Sequence, residues 1–234
     1  MQAPTYRGQL QAGEVMDGFT LGQVINQSET DVPVGAIVEC THGGWQEYAV
    51  LPAREVREVE VLGPLQNHVG ILGITGLTAY FGLLRVGRPV VDETVVVSAA
   101  AGATGHVVGQ LATLHGVRVS GISGSEAKNV VLREELGFDA TVNHRSRTLG
   151  DDVRAACPDG VGLYFDDVGG PLLERMLRPD EYRWAHRVLR GRVPVRHWLT
   201  GAGPSRRAGT VGDQKASDGR VLATRLRRRM AERT

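Results

Sequence analysis

A chain of 234 residues, 41% of them hydrophobic, has room for one large domain or two small ones with a real core. Its net charge of +1 hides an asymmetry: residues 1–178 hold 13 Lys and Arg against 21 Asp and Glu, whereas residues 179–234 hold 14 against 5. Cys40 and Cys157 stand far apart in no Cys-x-x-Cys unit, which argues against a disulfide framework or a structural zinc site and fits a reducing cytoplasm. No apolar leader follows Met1, and no run reaches the ~18 apolar residues of a membrane span.

Between Glu14 and Pro52 the β-prone pieces "LGQVIN", "GAIVEC" and "GWQEYAVL" alternate with turns at Gly22, Pro33, Gly35, Gly43 and Gly44, a pattern of irregular β structure. Trp45 and Tyr48 are expected as core anchors rather than ligand contacts. From Gly70, "GILGITGLTAYFGLLRVG" is apolar and helix-compatible. Thr94–Ser98 is then a continuous run typical of a strand buried on both faces of a parallel sheet. After a tight Ala/Gly turn, Val107, Val108, Leu111, Ala112 and Leu114 recur at helical spacing, with Gly116 placed as a C-cap. Val117–Ile122 reads as the second strand, "EAKNVVLREELG" as a helix stopped by Gly137, and "DATVN" as the third strand. A helix around Leu149–Ala156 and the strand "VGLYFDDV" complete a β-α-β-α-β-α-β order. The expected fold is α/β, a doubly wound parallel sheet.

The turn Ala100-Ala101-Gly102-Ala103-Thr104-Gly105 is an A-x-G-x-x-G form of the dinucleotide fingerprint, following a buried strand and opening a helix. Small residues there let backbone N–H groups and a helix N-terminus touch a pyrophosphate, so Gly102, Ala103, Thr104 and Gly105 are the candidate contacts. The bland alternative is a structural Gly-rich turn. An NAD site would put Asp or Glu about twenty residues on, at the end of the second strand. This chain has Ser123, Gly124 and Ser125 there, with Lys128 one helical turn later, which suits a 2′-phosphate and favours NADP(H). A solvated first-turn Lys128, and an NAD-type contact from Glu126, stay open as alternatives.

With "GLTAYFGLL", "SAAAGATGHVVGQLA", "GISGSEAK", "ELGFDATVN" and "ACPDGVGLYFDDVGG" in order, the chain resembles the medium-chain dehydrogenase/reductase superfamily from about Ala12 to Leu177. More narrowly it is similar to the zinc-independent prostaglandin and alkenal reductases. The resemblance implies a GroES-like catalytic domain, partial here over residues 1–69 with Met1 falling inside it, and an incomplete Rossmann NADP-binding domain over 70–178. It implies hydride transfer from NADPH to the carbon–carbon double bond of an enone or enal, no metal, and a homodimer; a quinone is the alternative substrate, and a non-catalytic NADP-binding remnant or partner-binding fragment the alternative role. Lys128 would hold the 2′-phosphate. His144 stands where the family has Tyr beside that phosphate, and Asp167 where it has Asn near the nicotinamide ribose. His144 can still donate to phosphate; an ionised Asp167 can only accept. No catalytic residue is assigned.

Residues 179–234 are expected to be irregular and out of frame. Back-translated with GC-rich codons and shifted by one base, "RPDEYRWAHRVLRG" permits "GRMNTGGRIAFCGA", and a later stretch permits "KRLRMEGF"; both look like family segments in their family order. On this reading the chain is truncated, and the end of the sheet is left with a bare strand edge. The alternative, a basic nucleic-acid-binding tail, is disfavoured because its Arg and aromatic residues show no periodic face.

Overall fold

The computed structural model describes residues 10–27, 30–177 and 187–190, in two compact units, Met1–Val69 and Gly70–Thr234. The first contains an antiparallel sheet in the order β1 (Thr20–Gln23), β2 (Ile37–Cys40), β3 (Val56–Glu58), followed by a short helix α1 (Gln66–Val69). Cross-strand partners Glu39 and Arg57 are joined by a salt bridge. Two expectations fail here. "GWQEYAVL" forms no strand, the third strand being Val56–Glu58 instead, and Trp45 and Tyr48 are 75% and 76% exposed. The backbone N–H of Trp45 bonds the Met16 carbonyl at 2.9 Å, which fixes the chain outside the sheet ladder. Three strands of three or four residues are too small a layer to enclose an indole and a phenol.

The second unit is a five-stranded parallel sheet in the order β6 (Ala140–Asn143), β5 (Arg118–Ser123), β4 (Thr94–Val97), β7 (Leu163–Asp166), β8 (Arg187–Arg190). Between the strands come α2 (Ile74–Tyr80), running into a π-helical stretch Phe81–Gly87, then α3 (Gly105–Leu114), α4 (Glu126–Glu134), α5 (Leu149–Ala156) and α6 (Gly170–Met176). Alternation in the central strands explains why both faces are covered. Val95, Val97, Leu163 and Phe165 join one core with Leu83, Val107, Val108 and Phe138; Val96 and Tyr164 join the other with Ile122, Leu149, Val153 and Met176. This is the α/β fold expected from the sequence, with each strand and helix from 94 to 166 within a few residues of its expected place. No helix among the described residues is long and apolar enough to cross a membrane.

The expectation for the basic end is corrected at Arg187–Arg190. These residues form β8, paired in parallel with β7 from Leu163↔Arg187 to Asp166↔Arg190. The unpaired backbone groups along β7 offer a template for another strand, and Leu189 packs against the core on the Val95 side. The edge of β7 is therefore covered. The rest of 179–234, with the frame-shift reading of it, lies outside the described residues.

Glycine spacing sets how closely the first layers stack. A Cβ on Gly121 of β5 would lie 2.9 Å from both the Ala100 Cβ and the Phe138 ring, so Gly121→Val is expected to cost about 1–3 kcal/mol through overpacking. Urea unfolding followed by far-UV circular dichroism reads this directly; a midpoint equal to wild type would mean that the layers are looser than these contacts require.

Candidate functional site

The site is built at the carboxyl ends of the parallel strands. After β4 the chain must reverse into α3 within a few residues. Ala99 takes a left-handed backbone, φ +46°, a conformation that costs a non-glycine residue roughly 1–2 kcal/mol. Its carbonyl accepts the Gly102 N–H at 2.7 Å. The helix then starts so close by that a side chain on Gly105 would collide with the Ala99 carbonyl and the Ala100 backbone. Ala100, the first position of the fingerprint, is fully buried and tolerated because Gly121 faces it.

Among the described residues, the N–H groups of Ala103, Thr104 and Gly105 have no backbone acceptor, and Thr104 at the N-cap makes no side-chain capping bond. These are the orphan donors of a helix start, on a ten-residue helix whose dipole favours an anion. His106 adds a restraint that the sequence reading passed over: its Nδ1–H donates to the Gly102 carbonyl at 2.7 Å. The turn thus fits a pyrophosphate by two tests, free donors and a cradle that a Cβ would fill.

A second group forms beyond β5 and β6, which pair from Ser120↔Ala140 to Ser123↔Asn143. Here the expected residues separate. Ser123 is buried, and its hydroxyl donates to Asn129 Oδ1 at 2.7 Å, so it shapes the strand end from inside. Gly124 and His144 are brought together, a Cβ on Gly124 falling 3.1 Å from His144 Nε2. Ser125 caps α4 by accepting the Lys128 N–H at 3.4 Å, which leaves the Lys128 side chain exposed on the first turn. Glu126 is held on its own helix by Arg133 at 2.9 Å and Asn129 at 3.2 Å; the Arg133 bond first, then the Asn129 bond, lowers its carboxyl. It is thereby engaged away from the role of a ribose-binding acid. Arg145, exposed and following His144, has its N–H fixed by Asn143 Oδ1 at 2.9 Å. The cation-rich text "NHRSR" directly after the third strand was the available signal for it.

The third group lies between β4 and β7, where the strand order reverses. Asp166 is buried, and its Oδ1 accepts from Ser98 Oγ at 3.2 Å, Tyr164 OH at 3.3 Å, Val168 N–H at 3.3 Å and Gly169 N–H at 3.0 Å. Ser98 Oγ in turn accepts the Asp167 N–H at 2.8 Å. Ser98 and Asp166 escaped the sequence reading; the one signal was a polar residue closing each of two buried strands. Asp167 follows Asp166 in the chain, less deeply buried. Its Oδ2 is buried without a hydrogen-bond partner, and burial first, then the Asp166 charge, pushes its carboxyl up to about 6. Cys157, whose thiol burial pushes up to about 11, is no nucleophile at neutral pH. Among the described residues no three His, Cys, Asp or Glu side chains gather to hold a metal.

Comparisons with known proteins agree with this geometry. Residues 103–179 match the family model described as zinc-binding dehydrogenase. YfmJ of Bacillus subtilis is 41% identical over 173 residues, 70% of this chain and 48% of that protein. Prostaglandin reductase 1 of Oryctolagus cuniculus is 37% identical over 175 residues, 72% of this chain and 49% of that protein. Among solved structures, CurA of Vibrio vulnificus in complex with NADPH superposes with a TM-score of 0.68 at 29% identity, covering 97% of this chain and 64% of that one. The chain thus spans about half the length of the curated relatives it matches.

Asp167 makes stability depend on pH. Folded, it keeps its proton up to about 6; unfolded, it releases it near its ordinary 3.8. The stabilisation from this proton is complete at the acid end and is lost as pH rises through 6. Asp167→Asn should therefore raise the melting temperature at pH 7.5 by a few degrees (about 2–4 °C per kcal/mol for a chain of this size) and flatten the dependence between pH 4 and 7. Thermal melts across that range test it, and a variant melting at or below wild type at pH 7.5 contradicts it. On motif, topology and similarity together, the chain is similar to the medium-chain dehydrogenases/reductases, and among them to prostaglandin-reductase-like members.

Proposed function

We propose that the chain carries the NADP(H)-binding half, and part of the catalytic half, of an oxidoreductase that reduces the carbon–carbon double bond of an α,β-unsaturated ketone or aldehyde. The observation that carries the cofactor reading is the corner beyond β5, where Gly124, Lys128 and His144 stand and Glu126 is held by Arg133. A carboxylate aimed at a ribose 2′-OH would reject a 2′-phosphate; a lysine, a histidine and a glycine leave room for one and supply donors. The NADPH bound in CurA and the activity named for prostaglandin reductase 1 support the same reading.

On this reading residues 1–69 belong to a GroES-like catalytic domain and 70–178 to the Rossmann domain. The Ala103–Gly105 N–H groups and the α3 dipole hold the pyrophosphate, Lys128 and His144 hold the 2′-phosphate, and Gly124 keeps the approach open. Ser123 acts from beneath by fixing the strand end through Asn129. Bound NADPH supplies a hydride. The protein's task is to hold the acceptor carbon at near-attack distance, a positioning effect that reaches about 7–11 kcal/mol when complete. A cytoplasmic homodimer goes with this reading by resemblance to the family, and sedimentation velocity checks the dimer.

The decisive measurement is binding of NADPH against NADH by isothermal titration calorimetry. NADPH should bind more tightly, and Lys128→Ala should weaken it by about tenfold or more, the scale of one hydrogen bond to a charged group, while leaving NADH unchanged. Equal affinity for both dinucleotides would refute the 2′-phosphate corner. Assays with an enone and a quinone then separate the roles: enone turnover supports the proposal, turnover of the quinone alone favours the quinone reductase reading, and tight binding without turnover favours a non-catalytic remnant.

A further inference from the structure

The sheet order fixes where the two ends of a bound dinucleotide must lie. With the pyrophosphate on the β4 turn and the 2′-phosphate corner over β5 and β6, the other nucleoside is directed to the opposite side of β4, over β7. Asp167 is the residue that β7 offers there. Its backbone is anchored to the end of β4 through the Ser98 hydroxyl, and its Oδ2 has no hydrogen-bond partner among the described residues. An unsatisfied buried polar atom at the carboxyl edge of the sheet calls for explanation, and a bound ligand that reorients the carboxyl can supply it.

We propose that Asp167 meets the nicotinamide-side ribose as a neutral carboxylic acid, so that the protein takes up a proton from solvent as the dinucleotide binds. This rests on the NADP(H) reading, in which Asp167 already stands near that ribose, and adds a proton coupling to it. The two neighbouring carboxyls divide the work. Asp166 receives four donors on one oxygen; burial first, and then the neighbouring Asp166, oppose a negative charge on Asp167. The titratable groups that bear on Asp167 are Asp166 and Tyr164, both of β7. Among the described residues, the end of β4 contributes the neutral Ser98 hydroxyl; the first residues of α6, Gly170, Pro171 and Leu172, bring no charge; and the register sets Arg190 of β8 opposite Asp166.

In the free protein at pH 7, with a carboxyl titrating at about 6, roughly one Asp167 in ten holds a proton. An arriving ligand excludes water from the carboxyl and brings several negative phosphate charges to the same sheet edge. Both effects favour the neutral acid. The added proton binds one carboxylate oxygen, which then donates to a ribose hydroxyl oxygen while the other still accepts. A charged Asp167 would only accept, beside a polyanion, without the donor capacity of an amide.

Calorimetric titration of the full chain with NADPH at pH 7, in buffers of different ionisation enthalpy, counts the protons exchanged. The ligand's own phosphate and His144 also titrate near this range, so the quantity to read is the difference between wild type and Asp167→Asn. Wild type should take up close to one proton more than the variant, and its affinity should fall by up to tenfold per pH unit above pH 6, where the difference between the two proteins is plotted. NADH, which lacks the 2′-phosphate, should show the same difference. A second readout needs no variant: the infrared difference spectrum of wild type on binding should gain the C=O band of a neutral carboxylic acid and lose carboxylate bands. Equal proton numbers in both proteins, or a spectrum without the acid band, overturns the role of Asp167 and leaves the cofactor reading standing. Failure of both proteins to bind NADPH overturns both.

Discussion

Crowding around one carbonyl governs the second unit. The Ala99 oxygen accepts the Gly102 amide, and the start of α3 passes so near it that residue 105 has no space for a side chain. A strand buried on both faces has to deliver its chain into a helix that packs back on the sheet, and this turn is the shortest way to do so. The left-handed Ala99 is the cost; the gain is a helix whose first N–H groups emerge at the carboxyl edge with nothing from the backbone to bond. Gly121 and Gly109 serve the same geometry from below. The first lets Ala100 settle on β5, and the second lets the Phe138 ring lie against α3 where any Cβ would strike it. Packing and binding are thus one requirement at this corner: the residues small enough for the layers to close are those small enough for a phosphate to approach.

The carboxyl edge is electrostatically divided. On the β5–β6 side, Lys128, His144 and Arg145 face outward and the nearest acid, Glu126, is absorbed by Arg133. On the β7 side two carboxyls stand in sequence, Asp166 accepting four hydrogen bonds on its Oδ1 and Asp167 carrying a buried Oδ2 with no hydrogen-bond partner among the described residues. The α3 dipole lies between them. A ligand that is strongly anionic at one end and nearly neutral at the other matches this gradient better than a uniformly charged one, and a dinucleotide with an extra phosphate on its adenosine side has that distribution. The fold produces the gradient without long-range design, because the strand order alone sets which loop follows which strand.

What was legible in the sequence follows from burial. Thr94–Val97 and the "LYFD" of β7 are enclosed on both faces, so their residue types had no freedom and read unambiguously as strands. The A-x-G-x-x-G turn was legible for the same reason, since sterics dictated each small residue. The first unit was not. Its strands have a single packed face at most, and an aromatic-rich segment such as "GWQEYAVL" reads as core whether or not a second layer exists to receive it; Trp45 and Tyr48 are exposed because the three short strands provide none. Arg187–Arg190 misled in the opposite direction. A window rich in arginine has no strand-like composition, yet β7 supplies the hydrogen-bonding template, and Leu189 alone is enough to reach the core. In the site, sequence spacing identified positions but not orientation. Ser123 sits where a ligand contact was expected and turns its hydroxyl inward to Asn129, a fact set by the helix that follows and not by the strand that carries it.

Asp166 and Asp167 show most clearly why identity in a sequence underdetermines chemistry. Two identical side chains, adjacent in the chain, leave the end of one strand toward opposite environments. The alternation of the strand sends Asp166 inward, where its Oδ1 accepts from Ser98, Tyr164 and two loop amides. Burial first, and then the neighbouring Asp166, make the next carboxyl reluctant to ionise. Neither property belongs to aspartate as a residue; each is conferred by where β7 stops and by the Ser98 hydroxyl that ties it to β4. An amide at position 167 would donate at any pH, whereas the carboxyl donates only when it holds a proton, so the substitution converts a fixed contact into one that answers to pH and to the charge of whatever lies across it.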